Sequence, residues 1–290
     1  MSIIKTSIRL SLFCCLTIAL TGATRAATLT YTTDLALWLA SDLGVTTSGS
    51  TVTGWADQSG NGHDGSYTSG EPQVGPTING LPTISFSGNT DHFELAGGQV
   101  LTSDNFTIFT VAVDTGPANG DSREIYSNWD GGNSWSSTFI GTTVGTDPVR
   151  SARFTDGLLS VDQVLSPTTP FILWGAYQGG VNAELFYNGN SIGSNPQNNL
   201  PADGLNPNGQ RNLTTQSFIG RQGTFTGEYW QGQIAEVLVY NALLTPEQQA
   251  EVFSYLQEKW TPVPEPTSVV LLVLGAVSLV ALKRRSRGQI

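Results

Sequence analysis

The residues best suited to chemistry lie in two polar loops. The first runs from Gly54 to Gly65 and reads Gly-Trp-Ala-Asp-Gln-Ser-Gly-Asn-Gly-His-Asp-Gly. Its glycines permit a tight backbone with positive φ angles. Asp57, Ser59 and Asn61 offer oxygens at alternate positions before Gly62, a spacing that lets a loop curl around one calcium ion, and Asp64 adds a carboxylate. The bidentate glutamate that would close such a loop is missing, and Thr68 stands in its place. Asp57 and Asn61 also suit turn capping through backbone amides, and this use is preferred. His63 has no zinc partner at useful spacing. The second loop lies in the irregular stretch 116–160, where Trp129 and Trp135 stand among Asp130 and Asn133. An indole face stacks on the apolar face of a pyranose while amides and carboxylates bond its hydroxyls. The other reading of these tryptophans is that they pack beneath a long loop.

Catalytic constellations are absent from the sequence. Glu94, Glu124, Glu184 and Glu236 are each isolated. No zinc cluster, Gly-x-Ser-x-Gly elbow or phosphate loop occurs. The chain is therefore read as non-catalytic.

The elements that must position these loops are strands. Short apolar or alternating runs, separated by Gly, Ser, Thr and Asn clusters, fit an all-β sandwich. Strands are expected at Leu35–Leu39, Thr83–Ser87, Phe106–Val113, Thr138–Gly141, Phe171–Tyr177, Ala183–Tyr187, Ser217–Ile219 and Gly232–Tyr240. Trp38 is expected in the core, and Ile84 and Phe86 should point inward. Asn188-Gly189 predicts a type I′ hairpin turn. One helix closes the core, with Thr245 as N-cap, Pro246 at the first position and Gln248 at the third. Gln249, Val252, Phe253, Leu256 and Trp260 then recur at helical spacing, so one face packs on the sheet.

The Leu-Trp-Leu opening at 37–39, the Trp55-to-Gly65 loop, the Tyr187-Asn188-Gly189 hairpin and the stretch from Ile234-Ala235-Glu236-Val237 to Tyr255-Leu256 together resemble the LamG-like, concanavalin A-like jelly-roll family. The resemblance spans nearly the whole of residues 27–262. It implies a jelly-roll β-sandwich with one C-terminal amphipathic helix, and a fold that hosts lectins, adhesive modules and glycanases alike. Family-16-type glycosidases of this fold carry Glu-x-Asp-x-x-Glu on one strand, which places both carboxylates on one sheet face. No such run exists here. The resemblance points to a polysaccharide-binding module. A structural or adhesive matrix protein without a defined ligand is the alternative, and a glycoside hydrolase would need carboxylates that converge only in space.

Both ends read as targeting segments. Lys5 and Arg9 precede an apolar stretch, Leu10 to Leu20, and Thr24-Arg25-Ala26 is a suitable cleavage site, so residues 1–26 are expected to be a signal peptide. Cys14 and Cys15 fall inside it, which leaves the mature chain without cysteine. Residues 263–290 carry Pro264-Glu265-Pro266, a 14-residue apolar run from Val269 to Leu282, and Lys283-Arg284-Arg285. That run is short of the roughly 20 residues a stable spanning helix needs. The arrangement resembles the PEP-CTERM sorting signal. It implies an exosortase-type processing enzyme as a partner, transient anchoring in the inner membrane, and delivery to the cell surface or matrix. The whole chain has 23 acidic and 13 basic residues. Setting aside seven basic residues and Glu265 in the end segments leaves 22 acids against 6 bases in residues 27–262, a net of −16. Such a surface repels nucleic acid and anionic membranes and tolerates cations and neutral polysaccharides.

Overall fold

Period-two alternation and turn-forming clusters give antiparallel strands throughout, and the stacking of those strands decides where side chains meet. The computed structural model describes residues 27–117, 121–128, 138–143, 150–154, 159–163, 169–179, 181–196, 216–223 and 227–261. They belong to one unit, Ala27–Pro262. In chain order the strands are β1 (Leu35–Ala40), β2 (Val45–Ser48), β3 (Thr51–Trp55), β4 (Gly65–Ser66), β5 (Gln73–Ile78) and β6 (Leu81–Ser87). Next come β7 (Phe93–Leu95), β8 (Asn105–Asp114), β9 (Arg123–Ser127), β10 (Phe139–Thr143), β11 (Arg150–Phe154) and β12 (Leu159–Gln163). The last are β13 (Phe171–Gln178), β14 (Asn182–Tyr187), β15 (Asn190–Pro196), β16 (Phe218–Ile219) and β17 (Gln231–Tyr240), followed by helix α1 (Pro246–Trp260).

The first sheet is organised on β17. One edge of β17 pairs with β8, and the other pairs with β6 and then β1. Beyond β8 the order runs β13, β14, β15, and β5 flanks β6. The second sheet runs β2, β3, β4, β7, β16, β9, β10, β11, β12. All these pairings are antiparallel, and a single bridge, Thr51 to Gln73, links the sheets.

The central strands β8, β13 and β17 of the first sheet are buried on both faces, which explains their long apolar runs. From β8, Phe106, Ile108 and Ala112 enter the core between the sheets, while Phe109, Val111 and Val113 face the other way, towards α1. Full burial of each such large side chain contributes about 1.5–3 kcal/mol. Ile84 and Phe86 point inward as expected. A β-bulge between Ile234 and Glu236 shifts the register of β17. It leaves Val237 and Val239 in the inter-sheet core while Leu238 and Tyr240 face the helix side.

Every expected strand is present, with the pair starting at Thr138 and Ser217 each beginning one residue later. The sequence reading does not anticipate β2, β3, β4, β5, β9, β11 or β12. Most of these are short or polar, and they lack the continuous apolar run of a two-sided strand. The Asn188-Gly189 turn has φ values of 46° and 90°, as a type I′ turn requires. Helix α1 has the anticipated capping box between Thr245 and Gln248, with Pro246 at its start. Its buried face comprises Gln249, Val252, Tyr255, Leu256, Lys259 and Trp260, while Phe253 is half-buried. Among the described residues no helix is long and apolar enough to cross a membrane. The expected signal peptide, Pro264, Glu265, Pro266 and the Lys283-Arg284-Arg285 cluster lie outside the described residues.

Candidate functional site

In the Gly54–Gly65 loop, both Asp57 oxygens bind protein donors. Oδ1 accepts from the amides of Trp38 and Ser59, each at 2.9 Å. Oδ2 accepts from the Ser59 hydroxyl at 2.7 Å and the His63 amide at 3.1 Å. Asp64 Oδ1 accepts from the Asp57 amide at 2.8 Å. Asn61 Nδ2 donates to the carbonyls of Leu35 and Ala36 at 2.8 and 3.1 Å. The loop is thereby fastened to β1. Among the described residues no group of three His, Cys, Asp or Glu side chains is placed to hold a metal ion.

The outer face of the second sheet gathers a different set of groups. Phe93, Leu95, Ile140, Phe154 and Ile219 point into the inter-sheet core. Strand alternation therefore turns Glu94, Gly141, Arg153 and Phe218 outward. Gly141 on β10 pairs with Glu124 on one side and Arg153 on the other. A Cβ at Gly141 would lie 2.9 Å from Glu124 Oε2 and 2.0 Å from the Arg123 carbonyl oxygen. Glycine there lets the side chains of Glu124 and Arg153 meet across the intervening strand. Arg153 Nη1 stands 3.2 Å from Glu124 Oε1 and 2.8 Å from Glu228 Oε2, and its guanidinium lies 4.0 Å from the centre of the Phe139 ring. Glu228 adopts φ = 49°, a left-handed conformation that costs a non-glycine residue about 1–2 kcal/mol. Its carbonyl accepts from the Glu124 amide at 3.1 Å.

A second guanidinium–ring pair lies across Ser127, which is in register with Phe139 on one side and Phe218 on the other. Arg221 lies 4.6 Å over the Phe218 ring and donates from Nη1 to His92 Nε2 at 3.3 Å. His92 is fully buried, and its Nδ1 donates to the Thr90 carbonyl at 2.7 Å. Burial is the main force that lowers the His92 pKa; the Thr90 bond opposes it, and Arg221 adds to the lowering. Because a guanidinium can only donate, Nε2 accepts from Arg221 and the ring is the neutral form with that lone pair turned to it. Ser127 Oγ donates to the Arg221 carbonyl at 2.7 Å and accepts from the Gly223 amide at 2.6 Å.

Trp129, Asp130, Asn133 and Trp135 lie outside the described residues. The residues that bracket them are described. The Asn128 amide donates to the Thr138 carbonyl at 2.9 Å, and the Thr138 amide donates to Asn128 Oδ1 at 3.2 Å. The connection carrying both tryptophans thus leaves and re-enters the second sheet beside Ser127 and Phe139.

Two further polar clusters are buried. Between the sheets, Asp114 binds Arg123 at 2.8 Å and Arg150 at 3.0 Å, and accepts from the Thr142 hydroxyl at 2.7 Å. Both guanidinium groups also donate to the Pro117 carbonyl, which fixes the turn after β8. Arg150, like Arg153, is thus paired with acid. On the helix side, Glu236 is fully buried. Oε1 accepts from Trp38 Nε1 and the Tyr255 hydroxyl, each at 2.7 Å; Oε2 accepts from Trp260 Nε1 at 2.5 Å and lies 3.0 Å from Lys259 Nζ. Burial pushes the Glu236 carboxyl up, and the Lys259 ammonium leads the groups that pull it back. Trp38 is half-buried, and its role is to tie β1 to this carboxylate. Glu184 is the simple case among the four glutamates the sequence leaves isolated, accepting from Ser191 at 2.6 Å at the surface.

The sequence reading misses His92, Arg221, Glu228 and the convergence on Glu236. The partners of Arg221 and Glu228 come from strands or loops far away in the chain, so no local spacing marks them. An apolar strand interrupted by a lone glutamate, as in Ala235-Glu236-Val237, is the one signal that could have flagged a buried carboxylate.

No family model matches the chain, and no curated protein matches it. Solved structures do. Domain 4 of AbnA, a GH43 extracellular arabinanase from Geobacillus stearothermophilus in complex with arabinotriose, has a TM-score of 0.54 at 14% identity, covering 77% of this chain and 98% of that one. The binding domain of Paraclostridial Mosquitocidal Protein 1 has a TM-score of 0.52 at 15% identity, over 80% of this chain and 56% of that one. The Trypanosoma rangeli sialidase in complex with sialic acid has a TM-score of 0.55 at 11% identity, over 80% of this chain but only 34% of the sialidase. At such identities the likeness is one of fold: the chain is a jelly-roll β-sandwich closed by one helix.

Proposed function

We propose that this chain is an exported, non-catalytic polysaccharide-binding module of the cell surface or extracellular matrix. One observation carries the reading. The connection that bears Trp129 and Trp135 is rooted in a sheet face where Arg153, Glu124, Glu228, Arg221 and His92 hold one another in fixed positions. Preorganised hydrogen-bonding groups beside aromatic platforms are what a sugar needs. The fold shared with the arabinotriose-bound domain supports the same reading. The test is retardation of the protein in a polysaccharide-containing gel, with loss of retardation in Trp129→Ala/Trp135→Ala. No retardation, or equal retardation of the variant, refutes it.

Export and sorting belong to the proposal. Residues 1–26 direct secretion, and residues 263–290 hold the protein at the inner membrane until an exosortase-type enzyme removes them. The meeting of Glu124 and Glu228 at Arg153 Nη1 favours a second reading, a glycoside hydrolase. Against it, that guanidinium nitrogen occupies the place between the carboxylates where a glycosidic oxygen would sit. Release of reducing ends, abolished by Glu228→Gln, would establish the second reading.

A further inference from the structure

We infer that Glu228 is a specificity-determining acceptor for the hydroxyls of a neutral sugar, and that the outer face of the second sheet refuses acidic polysaccharides; this rests on the polysaccharide-binding reading above. The first argument is where the cations are. Among the described residues the basic side chains are Arg123, Arg150, Arg153, Arg221 and Lys259. Four of them form salt bridges of 2.8–3.2 Å with Asp114, Glu124, Glu228, Asp42 or Glu236, and their side chains are at most 11% exposed. Arg221 lies on a phenylalanine ring against a neutral histidine. A polyanion gains affinity from exposed basic groups that it can neutralise, and this set is already engaged.

The second argument is Glu228 itself. Its left-handed backbone aims the carboxylate at Arg153, and its side chain remains 24% exposed. Oε2 takes the Arg153 bond, and Oε1 accepts no hydrogen bond from the described residues. Arg153 sits between two carboxylates, Glu124 and Glu228, so the three groups carry a net negative charge. A uronate approaching there meets like charge, whereas a hydroxyl donates to a fixed carboxylate in a charge-assisted bond. Glu124 is fully buried beneath and stays paired with Arg153 whatever occupies position 228. Glu228→Gln therefore leaves no guanidinium without an acid.

The experiment is affinity electrophoresis of the purified protein against neutral arabinan and dextran, anionic polygalacturonate and cationic chitosan, at low and high salt. The expected result is retardation by a neutral polymer that persists at high salt, none by polygalacturonate, and about tenfold weaker binding in Glu228→Gln with an unchanged fold by circular dichroism. Neutral binding that Glu228→Gln leaves intact overturns this inference and spares the binding function. So does retardation by polygalacturonate, or by chitosan alone with loss at high salt. Retardation by none of the polymers overturns both.

Discussion

Glu236 is the most exacting test of how this sandwich holds its helix. Its carboxylate is the meeting point of β1 through Trp38, of β17, and of α1 through Tyr255, Lys259 and Trp260. All four neighbours offer hydrogens to it. Glu236→Gln keeps the shape but supplies one acceptor oxygen and sets an NH2 among donors. The Lys259 ammonium, with 8% of its side chain exposed, then keeps Asp42 at 2.8 Å as its one acid, beside the Tyr255 hydroxyl at 3.1 Å. Removing one partner of a buried ion pair costs about 3–5 kcal/mol, and the remaining Asp42 contact places this site near about 3 kcal/mol. For a domain of this size that corresponds to a fall in melting temperature of about 6–12 °C. The assay is urea denaturation and thermal melting at pH 7 of wild type, Glu236→Gln, Lys259→Met and the double variant. In the Lys259→Met background the Glu236→Gln cost should shrink by about 1 kcal/mol or more, because no buried ammonium is left behind. A single-variant cost below about 1 kcal/mol, or strict additivity, refutes the argument that this carboxylate fastens the helix.

Three further outcomes follow from other parts of the molecule. His92 is held neutral with its pKa below the usual 6.5, so the unfolded chain binds the proton more tightly. Its contribution is whole above pH 6.5 and is lost as pH falls towards the folded-state value, by up to about 1.4 kcal/mol per pH unit. Denaturation curves between pH 7.5 and 5 should show that slope reduced in His92→Gln, and an equal slope refutes it. The Asp57 carboxylate is saturated by protein donors, so EDTA and millimolar calcium should give the same melting temperature; a rise with calcium would restore the ion-binding reading of Asp57, Ser59, Asn61 and Asp64. Mass spectrometry of the protein released from the cell surface should find no peptide beyond about Pro266, and an intact Lys283-Arg284-Arg285 end would contradict exosortase-type processing.

What the sequence made legible divides along the two sheets. The central strands of the first sheet are buried on both faces, so Phe106–Val113, Phe171–Tyr177 and Gly232–Tyr240 stand out as long apolar runs. The helix was legible because capping chemistry and spacing are local: Thr245, Pro246 and Gln248 lie within one turn. The second sheet was largely hidden. Gly65–Ser66 is only two residues long, and Arg150–Phe154 buries Arg150 and Ser151, so neither shows the apolar run that marks a strand. The face they build was hidden as well. Glu124 reads as an isolated glutamate until Gly141 brings Arg153 across the sheet to it. Glu228 looks like an ordinary loop acid, and its left-handed backbone is set by contacts that sequence spacing does not encode. The calcium-like spacing at Asp57 shows the converse. Alternate oxygens also suit a loop that bonds its own amides, and here those amides take them.

The central claim is that the outer face of the second sheet binds a neutral polysaccharide. The most direct measurement is a crystal structure of the protein soaked with a neutral oligosaccharide such as arabinotriose. The expected result is sugar density beside Arg153, with a hydroxyl donating to Glu228. Sugar bound on the helix side of the first sheet, or no sugar at saturating concentration, would contradict it.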